Sequence, residues 1–156
     1  MDSIGSFYIK NNILIKYSGE ESTVIIPESV KIIGENAFAE NRFIESVVMS
    51  GICEIGNGAF QYCRNLKKVT LPEGLRKIGA NAFGWCKNLK RIVIPISVTE
   101  IGESAFEELI AQNDGDRLLI LCETCKPFFR LPRGWSRNWL GQKSKNRVCV
   151  VWDCKI

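Results

Sequence analysis

The chain has 156 residues, 46% of them apolar and 24% charged, with a formal net charge of +4. That is enough apolar material for one core, and no apolar run approaches the ~18 residues of a membrane span, so no membrane insertion is expected. Histidine is absent; this removes Ser-His and Cys-His nucleophile pairs, H-E-x-x-H zinc sites and the commonest general base, so an enzyme is not expected and no catalytic residue is assigned.

The first ten residues, M-D-S-I-G-S-F-Y-I-K, lack a basic region followed by an apolar stretch, so no signal peptide is predicted. Seven cysteines, an odd number, then read as reduced thiols of a cytoplasmic protein, with a cell-surface or secreted location as the alternative. Residues 6–17, S-F-Y-I-K-N-N-I-L-I-K-Y, predict two strands around an Asn11-Asn12 hairpin turn. This hairpin, within residues 1–22, is expected to cap the amino-terminal end of a repeat array.

Residues 23–111 predict four repeats. Gly34, Gly56, Gly79 and Gly102 return every 22 or 23 residues, in step with Phe38, Phe60, Phe83 and Phe106, each preceded by alanine. The period is too short for a propeller blade or a helical repeat and lies in the leucine-rich-repeat range. In V-T-L-P-E-G-L-R-K-I-G-A-N-A-F, residues 69–83, Val69 and Leu71 alternate with polar neighbours as in a short strand. Pro72 ends that strand, Leu75 and Ile78 turn inward, and Gly79 permits a left-handed or close-packed backbone. One coil cannot bury its own apolar face but stacked coils can, so parallel strands near 24–26, 46–48, 69–71 and 92–94 are expected to lie ~4.8 Å apart over ladders of Phe and Ile. An antiparallel sandwich does not explain landmarks at fixed phase. The second copy is degenerate: Met49 is read as replacing the proline and Ser46 an inward aliphatic, with one residue missing between Phe38 and Phe43.

After Phe106 the spacing lengthens. Residues 112–156 predict a fifth strand at 118–121, a basic Trp-rich stretch and a last strand at 148–152. Residues 126–156 hold eight Lys/Arg against one Asp.

The units I-P-x-x-V-x-x-I-G-x-x-A-F, with C-x-N-L in the return loop, resemble the BspA-type leucine-rich repeats of bacterial proteins. The opening F-Y-I-K-N-N-I-L-I-K-Y-S-G and the closing L-C-E-T-C-K-P, G-W-S-R-N-W and V-V-W are similar to that family's caps. The resemblance implies a right-handed, β-rich solenoid or horseshoe, with parallel strands on one face and short helical or irregular segments on the other. It implies protein or ligand binding, no catalytic residues and no cofactor.

Outward strand positions are expected to form two rows, Thr23, Glu45, Lys68, Arg91 and Ile25, Val47, Thr70, Val93. An exposed apolar, β-branched stripe on a repeat scaffold points to a protein partner, although β-branched residues suit any strand. Arg130, Arg133 and Arg137 beside Trp135 and Trp139 give the alternative, a nucleic acid or an acidic partner at the carboxy-terminal cap; solvated charges around buried tryptophans are the plainer account. Cys63 and Cys86 share one phase and are read as buried thiols. Cys122, Cys125, Cys149 and Cys154 are loosely compatible with a four-thiolate zinc site, but packing explains them as well and no metal is assigned. Gly79-A-N-A-F-Gly84 lacks the Lys and Ser/Thr of a phosphate loop.

Overall fold

Inward aliphatics two residues apart, a strand-ending proline and a close-packed glycine, repeated in phase, fold into successive coils of a β-solenoid. The computed structural model describes residues 2–107 and the strands 118–122 and 148–152, with side chains over residues 5–107. In chain order the strands are β1 (Asp2–Ile4), β2 (Phe7–Lys10), β3 (Ile13–Tyr17), β4 (Thr23–Ile25), β5 (Ile32–Ile33), β6 (Ser46–Val48), β7 (Glu54–Ile55), β8 (Lys68–Thr70), β9 (Lys77–Ile78), β10 (Arg91–Ile94), β11 (Glu100–Ile101), β12 (Leu118–Cys122) and β13 (Val148–Trp152). Among the described residues there is no helix; the segments between strands are turns.

Each coil contributes to three hydrogen-bonded faces. On the front, β4, β6 and β8 pair in parallel, as do β10, β12 and β13. On the side, β3, β5, β7, β9 and β11 form a parallel ladder. On the back, alternate backbone groups reach the next coil: Phe38 N–H donates to Ala59, Phe60 to Ala82 and Phe83 to Ala105, each at 2.8 Å. The hairpin feeds only the side sheet, where β2 and β1 extend it antiparallel beyond β3. Strand β4 is therefore the edge of the front sheet. Asn11 and Asn12 have φ of 51° and 62°, the two positive values that a twist-matched two-residue turn requires.

Phe38, Phe60 and Phe83 stack on one another and Phe83 on Phe106, with centroids 4.7, 5.2 and 5.7 Å apart and planes within 9° of parallel. Tyr17 continues this column onto Phe38 at 5.1 Å, and Phe7 lies against Tyr17. Aliphatic ladders fill the rest of the interior, among them Ile33, Ile55, Ile78 and Ile101, then Val30, Ile52, Leu75 and Val98. Coils of one register bury what no single coil could. Gly79 serves close packing: a Cβ there would lie 2.6 Å from the Asn57 backbone nitrogen. The left-handed positions come two residues later in each coil, at Asn36, Gly58, Asn81 and Ser104, with φ between 53° and 59°, a conformation that Asn and Gly adopt at little cost.

The second coil corrects the sequence reading. Val24 pairs with Val47, 23 residues on, whereas Ile33 pairs with Ile55, 22 residues on. The missing residue thus lies between Met49 and Ile52, not between Phe38 and Phe43. Ser50-Gly51 replaces a three-residue Pro-led turn, and Gly51, at φ 71°, makes the shorter turn possible. Met49 is buried in line with Ile26 and Leu71, and Ser50, not Met49, stands in the proline's place. Ser46 faces outward between Thr23 and Lys68.

Candidate functional site

A one-residue slip moves every side chain of a strand to the opposite face, and this decides which front residues a partner can reach. Val47 was expected outside, but it is wholly buried against the core, and Val48 takes its place. Glu45 precedes the strand, half-buried, and pairs with Lys67 at 2.9 Å. The true outer rows are Thr23, Ser46, Lys68, Arg91 and Ile25, Val48, Thr70, Val93. Ile25 is 69% exposed and Val48 41%, Thr70 is exposed and Val93 half-buried. The front face therefore does bring Ile25, Lys68, Thr70, Arg91 and Val93 together. Arg130, Arg133 and Arg137 lie outside the described residues.

Beside these rows runs a cationic band that the sequence reading missed. Return loops place Arg42, Arg64 and Lys87 at one phase, Lys67 and Lys90 at the next pairing phase, and Lys68 and Arg91 on the strands, all exposed. The signal lay in the phase of these residues. They do not form a run, so a charge count along the chain passes over them. Asn65 and Asn88 lock the loops that carry them, donating to the carbonyls of Arg42 and Arg64 at 2.6 and 2.8 Å.

The front strands β8 and β10 lie side by side, yet no ladder joins them; the front is divided into β4-β6-β8 and β10-β12-β13. A cleft of about 530 Å³ opens between them, with Val69, Leu71, Val93 and Pro95 in its lining, Lys68 and Arg91 toward one end and Glu73 toward the other. Val69 and Leu71 are each 8% exposed, against 0% and 3% for Val47 and Met49 one coil earlier.

The thiols sit elsewhere. Cys63 and Cys86 are buried, and each donates its S–H to a carbonyl of the preceding coil, Phe38 and Phe60, at 3.0 Å. Burial pushes the Cys63 thiol up to about 12; burial and then the neighbouring Cys63 raise that of Cys86. Below the pKa of an unfolded thiol, near 8.5, both states hold the proton. Above it the unfolded chain ionises first, so stability falls with rising pH by about 1.4 kcal/mol per unit for each thiol. Urea midpoints between pH 7.5 and 9.5 are expected to fall steeply in the wild type and to flatten in a Cys63→Ala/Cys86→Ala variant. Equal slopes would show that these thiols are not buried.

As for zinc, Cys122 pairs with Trp152 and Cys149 with Leu119. The two cysteines are thus offset by three residues along the strands, about 10 Å, too far to share one ion. Cys125 and Cys154 lie outside the described residues. No group of His, Cys, Asp or Glu among the described residues could hold a metal.

The family described as "BspA type Leucine rich repeat region" matches residues 6–112 in six copies. This chain belongs to the BspA-type leucine-rich repeat family. Six copies exceed the four expected, and β3 shows how the match extends upstream: it supplies the side-sheet strand and, through Tyr17, the ring of a further coil. A leucine-rich cell surface protein from Faecalibacterium prausnitzii A2-165 is 28% identical with a TM-score of 0.63, over 70% of this chain and 28% of its own. A leucine-rich repeat protein from Bacteroides capillosus ATCC 29799 is 27% identical with a TM-score of 0.55, over 64% of this chain and 94% of its own. The pneumococcal vaccine antigen PcpA, 22% identical with a TM-score of 0.66 over 74% of this chain and 28% of its own, shares the fold. The chain thus spans little more than a quarter of the F. prausnitzii protein. No curated protein matches it. Leucine-rich repeats generally mediate protein–protein interaction and are non-enzymatic. No helix among the described residues is long and apolar enough to cross a membrane.

Proposed function

We propose that this BspA-type chain is a non-enzymatic interaction module that docks a partner protein on the outer side of β4, β6, β8 and β10. The observation that carries this is the register-corrected row Ile25, Val48, Thr70, Val93, in which Ile25 and Val48 stand exposed side by side, followed by exposed Thr70 and half-buried Val93. Water-exposed apolar area of this kind gains free energy on being covered. The second reading, a nucleic acid held by Arg130, Arg133 and Arg137, rests on residues outside those described and has less support.

Photo-crosslinking tests the docking face. A benzoylphenylalanine at position 48 or 70 is expected to give discrete protein adducts in the native cell, and one at Glu103, on the opposite face, none. Adducts at Glu103 with none at 48 and 70 would overturn the assignment.

A further inference from the structure

The front face is not uniform, and its division assigns a partner chemistry. We infer that the cleft between β8 and β10, with the cationic band beside it, binds an extended acidic segment of a partner polypeptide whose carboxylates alternate with small apolar side chains. This rests on the reading that the front face binds protein, and it narrows that reading to one subsite.

Three observations converge. First, β8 and β10 are neighbours without a shared ladder, so the edges that face the cleft carry backbone groups that these two strands do not satisfy with each other. An extended peptide offers matching donors and acceptors along its length. Second, the cleft floor is aliphatic. Val69 and Leu71, core residues by position, show surface only because the sheet divides here. The ring column widens at the same level, from 4.7 Å for Phe38–Phe60 to 5.7 Å for Phe83–Phe106. Third, the charge is one-sided. Arg64, Lys67, Lys68, Lys87 and Arg91 are exposed at the return-loop end of these two coils. Among the described residues Glu45 reaches this group, through its pair with Lys67, while Glu73 stands at the far end of the cleft. Such a field attracts a polyanion and orients it with its carboxylates toward the loop end.

The same observations separate an acidic peptide from a nucleic acid. Single-stranded bases need exposed aromatic faces among the cations. Here Phe43 is exposed beside Arg42 but belongs to the preceding coil, Tyr62 and Trp85 are half-buried and stacked on each other at 4.9 Å, and no aromatic residue lines the cleft. The chain's own tail is an unsuitable occupant, since residues 126–156 carry eight cations against one carboxylate and are repelled by the band.

The experiment measures fluorescence anisotropy of the full chain with three labelled probes. They are a ten-residue peptide alternating Glu and Val, the same peptide with Lys for Glu, and a ten-nucleotide single strand. The Glu–Val peptide is expected to bind, to weaken at least tenfold between 50 and 300 mM salt, and to lose at least tenfold in a Lys68→Gln/Arg91→Gln variant. Both side chains are exposed, so the fold is retained. Peptide binding that is absent, matched by the Lys–Val peptide, weaker than that of the oligonucleotide or indifferent to the Gln variant overturns the subsite. In the otherwise unaltered chain, no crosslinks from position 48 or 70 with peptide binding intact overturns the wider docking face alone.

Discussion

Phe60→Ala is expected to lower the unfolding free energy by about 3–5 kcal/mol, the usual cost of emptying a phenylalanine site in a packed core. Phe60 is fully buried and is stacked from both sides, on Phe38 at 4.7 Å and on Phe83 at 5.2 Å. The variant therefore loses two ring–ring contacts, each worth about 0.5–1.5 kcal/mol beyond area burial. The site cannot collapse easily, because Ala59 and Phe60 are bound into the back ladder, receiving from Phe38 and donating to Ala82. A domain of this size has only about 5–15 kcal/mol in total, so the variant loses a large share of it. Urea denaturation measures this as a large drop in midpoint with an unchanged slope. A loss under 1 kcal/mol would mean that the rings do not form one column.

The second large effect tests the register of the degenerate coil. Val47→Glu is expected to abolish folding, since it places a carboxylate among fully buried aliphatics with nothing to pair it, at a cost of several kcal/mol. Val48→Glu, one residue away, is expected to change stability by less than about 0.5 kcal/mol, as surface substitutions do. Circular dichroism and thermal melting of the two proteins side by side decide the matter. The reverse order would restore the face assignment drawn from the sequence.

These two variants mark where the sequence could be read and where it could not. Glycine and phenylalanine at fixed phase disclosed the stack, because only coils in register keep both buried. Asn11-Asn12 disclosed the hairpin, because few residue pairs tolerate two positive φ angles. The second coil resisted: with no proline, Phe38 and Phe60 showed that a residue was missing but not where. Matching Ile52 to Val30 and Leu75 as inward aliphatics locates the gap, and this sets Val47 inside. The left-handed row had a similar signal in Asn36, Gly58 and Asn81. Strand β1 had none, its three residues being too few for a pattern. Of the candidate site, the cations were present by phase but hidden by reading charge along the chain. The division between β8 and β10 depends on a separation of a few ångströms that no residue type announces.

Among the described residues β4 has a strand on one side only, and this has a consequence for how copies of this chain meet. A front sheet open at one end is a template for another molecule's strand, and stacking end to end would give fibres of indefinite length. The template is only three residues long, and Glu20 and Glu21 stand exposed just ahead of it. Brevity and negative charge together discourage polymerisation, so lengthening this strand or neutralising both carboxylates would invite filament growth.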